Sequence, residues 1–121
     1  EGEKDALGIL FAHIADGPNW WLANVMRDGR GWRWPIADPR EPASLRQALE
    51  ASRQRLLDFF AAEDGQRMCQ EFTFKERDGG ISRYIGRDRV LYLTDHEVHH
   101  RGKMVLALRQ WGHKDVPFMP Y

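Results

Sequence analysis

Apolar residues recur at helical spacing from about Lys4 to Arg27, where Leu7, Phe11, Ile14, Trp21 and Val25 form one stripe. The spacing predicts a helix. Asp16-Gly17-Pro18-Asn19 interrupts it, because Pro18 has no amide hydrogen and its ring meets the carbonyl four residues back; a kink or short break is expected there. From Asp28 to Pro42 the chain turns to Gly, Pro and Asp, which predicts a long loop anchored by Trp32 and Trp34. Ser44-Leu45-Arg46-Gln47 has the form of a capping box and starts a second predicted helix over about 45–63. Its buried face comprises Leu45, Leu49, Ser52, Leu56, Phe59 and Phe60, and Gly65 is the expected stop.

The period then changes. Phe72 and Phe74 alternate with polar neighbours, and Asp78-Gly79-Gly80 precedes a second short run from Ile81 to Ile85, which predicts a hairpin. Helical spacing returns from about Arg87 to Trp111 and closes at Gly112, and the tail DVPFMPY, with two prolines, is expected to be extended. There is no internal repeat and no low-complexity segment. Three helices and a hairpin predict an all-α protein of the up-down bundle type with a small β appendage.

The length of 121 residues fits one domain, 1–121. Lys and Arg number 18, as do Asp and Glu, so the formal net charge is zero and nothing asks for a nucleic-acid partner. Cys69 is the sole cysteine, excluding an internal disulfide; it is expected to be structural, since its sequence offers little to activate a thiol. No apolar run approaches the roughly 18 residues of a membrane span, so a soluble, cytoplasmic protein is expected. The chain opens on Glu1, with no signal-peptide pattern, as though it began inside a longer product.

The candidate chemistry lies on the last helix. On a helical wheel Leu93, His96, His100, Met104, Ala107 and Trp111 follow one another at steps of three or four, so His96 and His100 are expected to face the bundle interior. A buried imidazole without a partner costs a few kcal/mol as an order of magnitude. Two imidazoles one turn apart can converge on one ion, and His13 on the first helix offers a third. Three imidazoles around a divalent ion leave an open position, as catalytic sites require. The plainer alternative is that all three are core histidines bonded to carbonyls or water. His99 is expected at the surface or supporting the site from behind, and His113 at the surface.

His96-Glu97-Val98-His99-His100 also spells the H-E-x-x-H of zinc proteases, in which the glutamate is the base. The extended form of that motif wants a glycine and a histidine at fixed steps, where this chain has Lys103 and Leu106, and no glutamate follows Glu97. Glu97 is better explained as a solvated carboxylate or one supporting the site.

Two stretches, LFAHIADGPNWW around His13 and HEVHHRGKMVLALRQWG around His96 and His100, resemble the motifs of the DinB-like (DinB/YfiT-like) metalloprotein superfamily. The resemblance covers nearly the whole chain. It implies a four-helix bundle, a divalent metal, often zinc or nickel, and His13, His96 and His100 as its ligands. It further implies a small-molecule substrate, thiol S-transfer or thiol-dependent isomerisation with a low-molecular-weight thiol, and a homodimer. A metal-binding stress-associated protein without turnover, or a metal-dependent hydrolase, are the alternatives. The chain departs from the pattern in three respects: a helix that usually precedes the one bearing His13 is missing, Lys103 stands where glutamine is common, and Pro18 is unusual.

Around this site Trp20 and Trp21 are candidates for core or pocket lining, and Trp32 and Trp34 for a lid. Arg101, Trp21 and Trp34 are the candidate cofactor contacts, Arg101 having surface pairing with an acid as its alternative. Gly102, costly in mid-helix, is expected to allow close approach of another backbone.

Overall fold

The computed structural model describes residues 2–36 and 38–116. It contains helix α1 (Gly2–Asn24), helix α2 (Pro42–Ala61), a 3-10 segment (Ala62–Cys69), strands β1 (Glu71–Lys75) and β2 (Ile81–Ile85), and helix α3 (Gly86–Gln110). This is a mostly helical fold with one antiparallel hairpin before the last helix. α1 packs against both α2 and α3. None of the described helices is long and apolar enough to cross a membrane. The extra helix implied ahead of α1, and the tail beyond Val116, lie outside the described residues.

α1 continues through Pro18 as one helix, so of the kink or short break expected there the break does not occur. An interior proline costs about 3 kcal/mol, and burial on two sides offsets it. Toward α2, Ala12, Ala15 and Ala48 are buried with Ile36, and their small side chains let the two backbones come close. Toward the end of α2 and the hairpin, Leu22, Val25 and Met26 join Phe59, Phe60 and Phe72 in the larger core cluster.

The loop after α1 is anchored differently from the expectation. Ile36 is its buried residue, at 6 % exposure, while Trp32 and Trp34 remain 47 % and 50 % exposed. An isoleucine has no polar atom to satisfy, whereas each indole carries an N–H that favours a wet edge. The loop is also held by Arg55, whose guanidinium donates two hydrogen bonds to Asp28, at 2.6 and 2.7 Å, and one to the Gly31 carbonyl.

α2 starts at Pro42 rather than Leu45, and Ser44 is not its cap: the N-cap is Glu41, with no side-chain cap bond. Proline at the first turn has the helical φ already set and lacks only an amide that would be unpaired anyway, so it outcompetes the capping box. α2 ends at Ala61, four residues before Gly65. The predicted buried face holds, with Ser52, Phe59 and Phe60 buried and Leu45, Leu49 and Leu56 half-buried.

The hairpin pairs Phe72 with Tyr84 and Phe74 with Ser82. Its turn is closed by Glu76 and Gly80, and Gly79 takes a φ of +89° that a side chain would resist. α3 ends as expected: the amides of Gly112 and His113 donate to the carbonyls of Arg109 and Leu108, with Gly112 at φ +91°. Gly102 meets nothing within 4 Å of where a Cβ would stand among the described residues, so none of their backbone approaches it. Close approach occurs instead at Gly8, where a side chain would collide with the Pro39 carbonyl, and at Gly86, where it would collide with that of Arg67.

Candidate metal centre

His13 stands on α1, and His96 and His100 one turn apart on α3; contact between the two helices brings the three rings together. The Nε2 of His13 lies 3.0 Å from that of His96 and 3.1 Å from that of His100, and the last two are 3.2 Å apart. The rings do not stack: ring planes meet at 58°, 86° and 75°, so the nitrogens converge while the carbons splay. Three N–H groups cannot all point into one such triangle, and three lone pairs directed there repel unless a cation lies among them. Four-coordinate zinc, with nitrogens at about 2.0–2.1 Å, separates them by about 3.3 Å. These three histidines are the only group among the described residues placed to hold a metal ion.

The centre sits at an edge of the bundle, not deep inside it. His96 and His100 are half-buried and His13 is exposed. Flanking residues on the expected stripe follow the same gradient, from buried Leu93 and Met104 to exposed Trp111. Burial, followed by repulsion from His13 and His99, lowers the pKa of His96. For His100, burial followed by the fields of His96 and His13 brings it from 6.5 to about 4. Both rings are therefore neutral at pH 7, the state in which imidazole ligates.

His100 Nδ1 is buried and has no hydrogen-bond partner among the described residues. Ligation through Nε2 would put the ring proton on Nδ1, where none of the described residues supplies the acceptor that commonly fixes a ligating imidazole.

Beside the histidines is a cavity of about 270 Å³, lined by His13, Asp16, Trp20, Trp21, Tyr92 and His96, among others. Trp20 and Trp21 thus belong both to the pocket and to the rim of the larger core. Trp32 reaches the same rim: its indole Nε1 donates to Asp16 Oδ1 at 2.7 Å. Tyr92 lies nearly parallel to His96, with ring centroids 6.1 Å apart. Asp16 and Tyr92 were not anticipated, although each stands one helical turn from a histidine, at i+3 from His13 and i−4 from His96. Gly17 leaves room between α1 and α3, since a Cβ there would sit 3.5 Å from the His96 ring.

Other expected contacts lie elsewhere. Trp34 lines a separate groove with Arg33, Pro35 and Arg55, away from the histidines. Arg101 pairs with Glu97 at 3.6 Å, and Glu97 accepts a hydrogen bond from Arg53 at 2.6 Å. These three residues line an apolar groove of about 500 Å³ along α1, α2 and α3 whose lining does not include the histidines. Cys69 is exposed, and His99 and His113 are at the surface as expected.

Neither the search of curated proteins nor that of solved structures found a match. The family model described as the DinB family matches residues 3–120, nearly the whole chain. On that match the chain belongs to the DinB family.

Proposed function

We propose that this protein is a divalent-metal-dependent thiol S-transferase acting on a small electrophile, with zinc or nickel held by His13, His96 and His100. The observation that carries the proposal is the convergence of three imidazole Nε2 atoms within 3.0–3.2 Å of one another at the mouth of an aromatic-lined cavity. Held by His13, His96 and His100, a divalent ion with an open position would lower the pKa of a small thiol and so supply the nucleophile.

The chain's own residues do the rest. Trp20, Trp21 and Tyr92 offer apolar faces to an electrophile and exclude water from it. Asp16, with Oδ1 engaged by Trp32, presents its other carboxylate oxygen as an acceptor for a donor on the bound molecule. In the transfer a carbon–sulfur bond forms, the bond from carbon to its leaving group breaks with the electron pair going to that group, and the thiol proton passes to water.

Use of Glu97 as a protease-type base is disfavoured by its surroundings. Its carboxylate is engaged by Arg53 and Arg101 and lines a groove whose lining does not include the histidines.

The test is conjugation of a chlorinated nitroarene to a low-molecular-weight thiol by zinc- or nickel-loaded protein. Metal-dependent product formation, lost in His96→Ala, is the expected result. Metal-loaded protein that neither binds thiols nor forms conjugate would leave a metal-binding protein without turnover.

A further inference from the structure

Arg89 has an unusual environment for a guanidinium. Its central carbon lies 4.4 Å from the ring centre of Tyr84, 4.6 Å from that of Tyr92 and 5.1 Å from that of Trp21. Strand β2, helix α3 and helix α1 each contribute one wall. Its Nε is buried without a hydrogen-bond partner. No carboxylate faces it among the described residues, although most of the arginines around it in sequence, including Arg83 and Arg87, have acidic partners.

A buried guanidinium Nε–H without a partner is costly, and cation–π contacts satisfy the faces of the guanidinium, not its in-plane donors. Those donors form a planar fork matched to a carboxylate. Two of the three rings enclosing Arg89, Trp21 and Tyr92, also line the cavity at the histidines. Arg89 stands two turns before His96 on the same face of α3, about 10 Å along the helix axis. A small molecule with one end at the histidines and an anion at the other would span that distance over the Tyr92 ring.

We infer that Arg89 is a specificity-determining residue that binds the carboxylate of a small acid whose other end reaches the three-histidine centre. The aromatic rings hold the guanidinium in place before the ligand arrives, which lowers the ordering cost of binding. Asp16, on the wall beside His13, repels an anion placed at the wrong end. In naming an acidic thiol as the substrate class, the inference rests on the thiol-transferase proposal, but the anion site itself can be tested apart from it.

The experiment uses cobalt(II)-loaded protein and two probes of equal length, mercaptooctanoate and mercaptooctanol. Calorimetry measures binding, and the near-ultraviolet sulfur-to-cobalt absorption reports whether sulfur reaches the metal. In the parent the acid should bind about tenfold more tightly than the alcohol, the effect of one charge-assisted bidentate contact. Arg89→Met should abolish that preference while leaving alcohol binding and cobalt content unchanged, and Arg89→Lys should keep part of it. A purely structural role would weaken acid and alcohol alike. Equal affinities in the parent, or a preference that survives Arg89→Met, would overturn the inference. An Arg89-dependent preference without the absorption band would uphold the anion site and overturn thiolate binding instead. The band without the preference would do the reverse, and no binding of either probe would reject both.

Discussion

The Nε2 atoms of His13 and His96 stand 3.0 Å apart, although 83 positions separate the two residues in sequence. Their meeting depends on how α1 crosses α3, and Gly17 lies at that crossing against the His96 ring. The three-histidine cluster is therefore a property of the bundle and not of one motif, and its behaviour should follow the packing of those helices.

The histidines set an acid limit on the metal-free fold. An unfolded histidine takes up its proton near pH 6.5, whereas folded His100 does so only at about 4. Between those values the unfolded chain binds more protons, so stability rises with pH across that window and is lost as pH falls through it. His96, also lowered, acts in the same direction. Denaturant midpoints of metal-free protein from pH 7 to pH 4 should fall steadily, and His100→Gln should flatten the slope. An unchanged slope in that variant would contradict the assignment.

The Asp28–Arg55 pair holds the loop after α1, with side chains only 5 % and 12 % exposed. Asp28→Ala leaves a buried guanidinium without its carboxylate and should cost about 3 kcal/mol in urea unfolding. The double variant Asp28→Ala with Arg55→Met should recover much of that loss. Arg55's hydrogen bonds, its largest influence, hold the Asp28 pKa below the ordinary 3.8, so the pair stabilises above that pH and its contribution disappears as pH falls below it.

Backbone crowding makes two glycines irreplaceable for a different reason. Gly8→Ala and Gly86→Ala each place a methyl group against a carbonyl, of Pro39 and Arg67 respectively, and backbone cannot rotate away as a side chain can. Each should cost about 1–3 kcal/mol. Gly102→Ala, with open space around it, should be neutral or stabilising by comparison, by about 1 kcal/mol at most. Thermal unfolding of the three variants side by side checks this ranking.

Glu97 separates the transferase proposal from a protease one. Because its carboxylate is bound by Arg53 and lies in the lining of the other groove, Glu97→Gln should leave both metal content and thiol conjugation within about twofold of the parent. Loss of activity with metal retained would show that Glu97 is a base after all.

What could be seen in the sequence was local. The three helices, the hairpin and the i, i+4 histidine pair follow from periodicity and turn residues within a few positions of each other. Competition between local signals was harder to resolve: Pro42 and the Ser44–Gln47 pattern both mark a helix start, and only the proline is used. Size misled at the loop, where two tryptophans outweigh Ile36 on paper, yet the residue without a polar atom is the one buried. Pro18 argued for a break because its cost is local, while the burial that offsets it comes from α2 and the hairpin. The Arg89 enclosure needs three rings from three elements and left no trace in spacing.

The most direct test of the central claim is elemental analysis of untagged parent protein and His100→Ala after reconstitution with zinc or nickel. The account predicts about one ion per chain in the parent and less than about a tenth of that in the variant, with both folded by circular dichroism. A parent that takes up no metal, or a variant that holds as much as the parent, would contradict it.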